Sequence, residues 1–367
     1  MKRFLAPLLT LLLVVGVGYA IYLSVKEQSV TVIHGLIGSE KEEFFRDPRV
    51  IAALREKSLQ VDFIKAGSRE IATKFDLKAY DFAFPAGVPA AEKIRRENKI
   101  ARFYPAFFTP MAIASWKRVV KILEANKIAE QKNGIYYVID MQRLLDTIRQ
   151  GKRWYELPSS ESFSVQRSVL INSTDVRSSN SGAMYASLAS YLYNNRNVVT
   201  NDSQMRMVID EVTALFVRQG LTGYSSEAPF EEYLSQGVGK APLVMIYEAQ
   251  FLNAKAQADS PISDDMILLY PEPTVFTKHI LVPLNEKGER LGDALLNDPE
   301  LKRLAIEHGF RNDDRAGFQR FVKQHQLPVP DEIVNVVEVP SYEILERMIA
   351  EIDASYKGTT GNVPTNK

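Results

Sequence analysis

Residues 29–42 read SVTVIHGLIGSEKE, and this stretch decides the fold class. A short run rich in β-branched residues ends in a glycine loop, and a charged stretch of helical periodicity follows it. The same order recurs at residues 59–69 (LQVDFIKAGSR), and again where DFAFP at residues 81–85 precedes the helical residues 89–98. Three strand–loop–helix units in succession predict an α/β fold with parallel strands joined by helical crossovers.

The chain changes character after these three units. Residues 101–115 (ARFYPAFFTPMAIAS) are aromatic, are predicted to be extended, and are interrupted by Pro105 and Pro110. Later elements alternate again, with strands predicted at 243–247, 266–270 and 279–284 and helices at 202–220 and 298–308. The polar, Gly- and Pro-containing residues from 355 onward are typical of a flexible tail.

Composition and charge exclude several classes of protein. The 367 residues include 45 basic and 45 acidic ones, so a dominant basic field for nucleic acid is excluded. The chain has no cysteine, which rules out disulfides, thiol nucleophiles, zinc ribbons and a lipid-modified cysteine. With 46% hydrophobic residues the chain can form well-packed hydrophobic cores. Its length suggests about two domains.

The N-terminus carries a candidate membrane segment. Lys2 and Arg3 precede an uncharged apolar run over residues 4–25, which as a helix would span about 33 Å, enough for a bilayer core. The basic flank predicts that the rest of the chain lies outside the cytoplasm. Cleavage of a signal peptide near Ala20 is the alternative, although the apolar run continues beyond that point. We therefore predict a single-pass anchor at residues 1–28 on the periplasmic side of the inner membrane, or release into the periplasm if this segment is cleaved.

Catalytic and metal-binding signatures are missing from the sequence. It contains no HExxH, G-x-S-x-G or Walker motif. No two of the four histidines have the spacing of metal ligands on one helix, and an isolated histidine is more often structural or on the surface. We therefore predict no catalytic residue, no metal site and no cofactor, and we predict that the protein is not an enzyme.

Small polar residues cluster where predicted strands end and helices begin. Four such places are residues 35–40, 66–69, 178–182 and 247–248. Helix N-termini present unpaired N–H groups and a partial positive charge, so several of them together can bind an anion without a formal cation. In open α/β sheets these loops lie at the carboxyl ends of the strands, where ligands bind.

A purely structural role is the alternative for each of these residues. Ser39 has the spacing of a capping box with Glu42, and Ser68 can cap the turn that follows it. Arg69 would ordinarily be a solvated or salt-bridged surface residue, although an arginine there can also clamp an anion. The small polar residues at 178–182 are more numerous than one helix cap requires, so this cluster is the more specific signal.

Several segments, taken in order, carry a family resemblance. FFTPMAIASWK (107–117) and MILLYPEPTVFTKHILVPL (266–284) resemble the two strands that cross between the lobes of one receptor fold. SVLINSTDVRSSNSGAMYASL (168–188) and GKAPLVMIYEAQFL (239–252) resemble the strand–helix starts of its second lobe. Together with the opening units and LKRLAIEHGFR, they make residues 29–320 similar to a type II periplasmic solute-binding protein.

The resemblance implies two α/β lobes joined by two hinge strands, with a ligand bound in the cleft and lobe closure as the response. It implies a first lobe of residues 29–112 and 272–354, a second lobe of residues 113–271, and a tail at 355–367. Carried over position by position, it places at the cleft Gly38, Ser39, Ser68, Arg69, Asn180, Ser181 and Tyr247. The oxyanion-binding branch is matched best, although a small organic anion would use the same donors.

Two hypotheses of function follow. The first is an extracytoplasmic receptor that binds a small anion, either an oxyanion or a small organic anion, and closes around it for an ABC transporter. The missing lipid-bearing cysteine and the C-terminal extension at residues 327–352 are departures from such a receptor. The alternative is therefore a membrane-anchored structural or signalling subunit that keeps the fold and acts through a protein partner in the membrane. Neither hypothesis involves nucleic acid.

Overall fold

The computed structural model describes residues 13–18, 30–220, 222–223, 225–330 and 332–360. Most of the predicted N-terminal anchor lies outside these residues, and its described part, residues 13–18, is helical. No helix within the described part of the chain has both the length and the apolar character that a membrane crossing needs.

Over residues 31–125 strands alternate with helices, as the sequence predicts. The strands are β1 Thr31–Ile37, β2 Leu59–Lys65, β3 Phe82–Phe84, β4 Tyr104–Trp116, β5 Ala129–Lys132, β6 Tyr136–Asp140, β7 Val244–Tyr247, β8 Met266–Glu272 and β9 Phe276–Pro283. The helices from residue 42 onward are α1 Glu42–Arg46, α2 Pro48–Glu56, α3 Ser68–Thr73, α4 Val88–Glu97, α5 Lys117–Ala125, α6 Met141–Arg149, α7 Asn180–Tyr193, α8 Asp202–Val217, α9 Ala228–Gln236, α10 Glu248–Ala256, α11 Glu286–Asn297, α12 Pro299–Glu307, α13 Arg315–Gln324 and α14 Tyr342–Thr360.

The sheet runs through two lobes in the order β2-β1-β3-β9-β4-β8-β6-β5, with β7 also paired to β4. The predicted parallel pairing is confirmed in the first lobe, where β1 lies parallel to both β2 and β3. In the second lobe β6 is parallel to β8, whereas β7 and β8 run antiparallel to β4. The result is a mixed α/β fold with two lobes.

Strand β4 belongs to both lobes. Its residues 104–110 pair with β9 of the first lobe, and its residues 111–116 pair with β7 and β8 of the second. The chain therefore crosses to the second lobe within β4 and returns between β8 and β9. These two crossings connect the lobes and place their loops face to face.

Each lobe has its own hydrophobic core. In β1, Ile33 and Ile37 belong to one first-lobe cluster and Leu36 to another, because neighbouring side chains of a strand point to opposite faces of the sheet. The second lobe holds one larger cluster around α7 and α8, which includes Tyr185 and Phe216. Helices thus cover both faces of the first-lobe sheet, as a parallel sheet requires.

The C-terminal helix departs from the predicted organisation. The sequence assigns residues 272–354 to the first lobe, yet the apolar side chains of α14 join the core cluster of the second lobe. The helix also continues to Thr360, into the predicted tail at 355–367, and the rest of that tail lies outside the described residues. Apart from this packing, the lobe boundaries stay a prediction.

Candidate functional site

The loops at the carboxyl ends of the first-lobe strands meet the second lobe around a cavity of about 190 Å³. The first lobe contributes Gly38, Ser39 and Ser68 to its wall, and the second lobe contributes Asn180 and Tyr247. The structure therefore brings together five of the seven residues that the sequence placed at a cleft. The rest of the wall is made by Glu40, Lys65, Ala66, Gly67, Glu70, Ser179, Ser225, Ser226 and Glu227.

Three second-lobe helices begin at this cavity. Helices α7, α9 and α10 start directly after Ser179, Glu227 and Tyr247, and all three residues line the wall. The N–H groups in the first turn of a helix have no acceptor within the helix, and the aligned peptide dipoles give this end a partial positive charge. The three N-termini therefore favour negative charge in the cavity.

Ser39 and Ser68 bring hydroxyl groups to the first-lobe wall. Ser39 begins a short 3-10 turn, and its Oγ lies 3.1 Å from Oγ of Ser226 in the second lobe. The predicted capping box between Ser39 and Glu42 is not formed, because this turn separates Ser39 from α1. Ser68 Oγ accepts a hydrogen bond of 2.8 Å from Ala86 N, which leaves the hydroxyl hydrogen able to donate to a ligand.

Asn180 and Tyr247 form the second-lobe wall. Asn180 Nδ2 donates to the carbonyl oxygen of Ala86 in the first lobe and to the Tyr247 hydroxyl, each at 3.1 Å. Burial raises the pKa of Tyr247 well above its usual value, and the negative charge of Glu40 adds to this effect. The phenol therefore keeps its proton and can donate a hydrogen bond to an anion.

Two of the predicted residues do not line the cavity. Ser181 Oγ lies 2.8 Å from Thr174 Oγ1 and 3.0 Å from Ser179 Oγ, within the second lobe. Ser179, rather than Ser181, therefore lines the cavity. Arg69 is engaged by Glu346 of α14, with Nε donating to Oε1 at 2.7 Å, and a second bond joins Nη2 and Oε2.

A buried cluster of ionisable side chains, which the sequence analysis missed, lies at the first-lobe wall. The side chains of Glu40, Lys41 and His279 are at most 3% exposed. The Lys41 ammonium contacts the Glu40 carboxylate and lies 3.1 Å from His279 Nδ1. Glu40 Oε2 accepts a hydrogen bond of 3.2 Å from Ser226 Oγ of the other lobe. A carboxylate of the chain itself thus lies at the wall of the candidate anion site.

The charges in this cluster are fixed by their surroundings. Burial alone would raise the pKa of Glu40, but Lys41 and His279 outweigh it and hold that pKa well below its usual value. Burial lowers the pKa of Lys41, and the Glu40 carboxylate opposes this. Burial and then the Lys41 ammonium lower the pKa of His279 to about 4, so its imidazole is neutral at pH 7. The cluster is therefore one buried ion pair with a neutral histidine.

Glu227 is the group at the cavity that titrates near neutral pH. Burial raises its pKa to about 7; Lys65 opposes this shift, and the nearby Glu42 and Glu40 carboxylates reinforce it. Its carboxylate lies 3.7 Å from the Lys65 ammonium, which also contacts Glu42. The charge of the cavity therefore changes between slightly acidic and slightly alkaline solution.

Two glycines let the lobes approach closely beside the cavity. A methyl group on Gly67 would lie 2.1 Å from the carbonyl oxygen of Ser178 in the second lobe. A methyl group on Gly87 would lie 2.1 Å from Asn180 Oδ1. The structure is therefore a closed arrangement in which the backbone of one lobe touches the other.

Comparison with solved structures identifies the fold. The sulfate-binding protein SubI from Mycobacterium tuberculosis H37Rv is 16% identical, with a TM-score of 0.53 over 90% of this chain and 99% of that chain. A Listeria monocytogenes protein assigned to a spermidine/putrescine ABC transporter is 13% identical, with a TM-score of 0.57 over 89% and 98%. The periplasmic binding protein AfuA from Actinobacillus pleuropneumoniae, with fructose-6-phosphate bound, is 10% identical, with a TM-score of 0.54 over 89% and 98%.

These similarities show that the chain has the type II periplasmic-binding-protein fold, as its sequence motifs predict. No family model matches the sequence, and no curated protein matches it by sequence. The three neighbours are described as binding or transport proteins, and one of them is a sulfate-binding protein.

Proposed function

We propose that the protein is an extracytoplasmic solute-binding protein that holds one small anion in the cavity between its lobes. The observation that carries this proposal is the convergence of α7, α9 and α10 on one interlobe cavity that also contains hydroxyl donors. Donors fixed at the end of a helix can stabilise a negative charge without having to reorient.

The side chains of the cavity wall support binding of the anion by uncharged hydrogen-bond donors. The cations near the cavity are already engaged, because Lys41 contacts Glu40 and Lys65 contacts Glu42. Binding would therefore rest on Ser39, Ser68, Asn180 and Tyr247 together with backbone N–H groups. The cavity volume of about 190 Å³ suits an oxyanion or a small organic anion rather than a drug-sized molecule.

Cellular location and delivery to a transporter are part of the same proposal. The apolar run at residues 4–25 supports export of the rest of the chain, either anchored or cleaved. The neighbour from Listeria monocytogenes, assigned to an ABC transporter, supports a transporter as the partner. Fractionation of cells that express the full chain would test the location directly.

Ligand-dependent thermal stability tests the proposal, with a serine variant as the check on the site. An anion that binds the folded protein at millimolar concentration must raise Tm. In Ser68→Ala a hydrogen bond to the anion is lost, which costs about 1.5–3 kcal/mol and weakens binding roughly 10- to 150-fold. Ser235→Ala removes an exposed hydroxyl on α9 and should leave affinity unchanged. If no anion raises Tm, or if Ser68→Ala binds as tightly as the native chain, the proposed site is wrong.

Anion affinity should increase as the pH falls from 8 to 6. The pKa of Glu227 is raised to about 7, so its carboxylate is charged and repels a bound anion above that pH, whereas the protonated carboxyl can donate to it. One linked proton changes the affinity by at most about tenfold per pH unit, and the change should level off below pH 7. Calorimetry with sulfate, whose own charge is constant in this range, would measure it. Glu227→Gln should abolish the dependence, and a flat profile in the native chain would contradict the role of Glu227.

A second candidate function rests on one observation. Helix α14 contacts both lobes, which a receptor that cycles freely between open and closed states does not need. This arrangement favours a structural or signalling subunit that keeps the closed fold and acts through a protein partner. A lack of any thermal response to the anion panel, together with a stoichiometric complex with a membrane protein, would favour this candidate over the receptor.

A further inference from the structure

Helix α14 is bound to the second lobe by a broad apolar contact. It packs along α8, and its buried side chains share one core cluster with those of α8. The α14 members of this cluster are Ile344, Leu345, Met348, Ile349 and Ile352. Burial of several large aliphatic side chains contributes of the order of 1.5–3 kcal/mol each, so α14 cannot leave the second lobe easily.

Polar contacts reinforce the attachment of α14 to the second lobe. Arg347 Nε lies 3.1 Å from Asp202 Oδ1 at the start of α8, and Arg177 Nη1 donates to Asp353 Oδ1 at 3.2 Å. The hydroxyl of Tyr356 donates to the carbonyl oxygen of Phe216 at 2.9 Å. These contacts lie along several turns of the helix.

The contact of α14 with the first lobe is short and polar by comparison. It involves the first turns of the helix, where Glu346 pairs with Arg69 through two bonds. Glu343 lies 3.5 Å from Arg96, and the Lys93 ammonium lies 5.4 Å from the centre of the Tyr342 ring. The Arg96–Glu343 pair is largely exposed and contributes little, whereas the side chains of Arg69 and Glu346 are only 15% and 24% exposed.

Arg69 lies where three parts of the molecule meet. It belongs to α3 of the first lobe, it holds Glu346 of α14, and its Nη1 donates to the carbonyl oxygens of Val176 and Arg177 in the second lobe. The bond to Val176 is 3.3 Å long. Opening of the lobes would separate Arg69 from these carbonyls, and from Glu346 as well if α14 stays on the second lobe.

We propose that α14 is an interlobe strap. It is attached to the second lobe, and through the Arg69–Glu346 pair it holds the first lobe against the second. The apolar contact is broad and the first-lobe contact is narrow, so the strap opens at Arg69 while the rest of the helix stays in place. The closed arrangement is then the resting state of the protein without solute. Entry of a solute then requires release of this pair as well as of the direct contacts between the lobes.

The lobe-to-lobe distance in the full chain tests the strap. The native chain has no cysteine, so spin labels can be attached at Lys78→Cys in the first lobe and at Met207→Cys, an exposed position on α8. Without any added ligand, double electron–electron resonance should give one short distance between the two labels when Arg69 and Glu346 are both unchanged. In Glu346→Gln the paired charge is lost, and we expect the ratio of open to closed molecules to rise about tenfold, seen as a second, longer distance.

Two further variants make the result specific. Glu351→Gln, on an exposed position of the same helix, should keep the single short distance. Arg69→Lys keeps the positive charge but loses the forked geometry, so it should also open the lobes. Circular dichroism would verify that each variant is folded. An unchanged short distance in Glu346→Gln would overturn the strap, whatever Arg69→Lys does, because Arg69 also bonds directly to the second lobe. Equal opening in Glu351→Gln would overturn it as well. Since no ligand is added, this result is independent of whether the cavity binds an anion.

Discussion

Replacement of Glu40 by glutamine is expected to destabilise the protein by about 3–5 kcal/mol and at the same time to strengthen its binding of anions. The side chain of Lys41 is completely buried, and the Glu40 carboxylate is the negative charge that contacts it. Glutamine removes that charge and leaves a buried ammonium without compensation. Thermal or urea unfolding would measure the loss.

Anions in solution should restore much of this stability. With the Glu40 carboxylate gone, a sulfate or phosphate ion in the cavity would meet the helix N-termini without the repulsion of a neighbouring negative charge. We therefore expect a larger rise of Tm with added sulfate in Glu40→Gln than in the native chain. Calorimetric titration of both proteins with sulfate would compare the affinities.

A double variant is the matched control for this prediction. Glu40→Gln with Lys41→Met removes both charges of the pair, so it should be less destabilised than the single variant and should respond less to sulfate. If Glu40→Gln is as stable as the native chain, the buried ion pair does not stabilise the closed form. If sulfate affects the single and double variants equally, the anion does not bind near Lys41.

The substitution Gly67→Ala should open the cleft and reduce solute affinity by at least about 100-fold. The backbone of Gly67 is extended, with φ −64° and ψ 144°, so alanine fits it without strain. Its methyl group would nevertheless lie 2.1 Å from the Ser178 carbonyl oxygen, a contact that exists only while the lobes are closed. The added carbon therefore destabilises the closed form of the protein and does not destabilise either lobe by itself.

Small-angle scattering and ligand titration would measure this effect. We expect a larger radius of gyration for Gly67→Ala and a nearly unchanged circular dichroism spectrum. Gly239→Ala is the matched control, since a methyl group there meets nothing within 4 Å. A Gly67→Ala protein that stays compact and binds solute normally would show that the closed contact between the lobes is not required for binding.

The sequence predicts the main strands of the fold well because local sequence patterns specify them. The strand predicted at residues 59–65 is β2 itself, and the aromatic stretch at 101–115 is the long strand that joins the lobes. Both predictions depend only on residues that are neighbours along the chain. The same local reasoning leads to Ser68 and Tyr247, which line the interlobe cavity, because strand ends and helix starts can be recognised within a few residues.

The buried ion pair could not be predicted in this way. Lys41 and His279 are 238 residues apart, and an isolated histidine gives no sign of its partner. The available signal was the charged pair Glu40-Lys41, which directly follows a glycine loop at the start of a predicted helix. The pairing of Arg69 was missed for a related reason, since its partner Glu346 lies 277 residues further on, in a helix that the family resemblance does not cover.

The path of the chain through β4 and β9 also determines the order in which the protein can be assembled during synthesis. Strand β9 joins β3 to β4, yet it is made only after the whole second lobe, so the first-lobe sheet stays incomplete until about residue 283 has emerged. Helix α14 emerges later still. Domains tend to fold in order from the N-terminus, and here that order allows α14 to make its contacts with both lobes only after both have been synthesised.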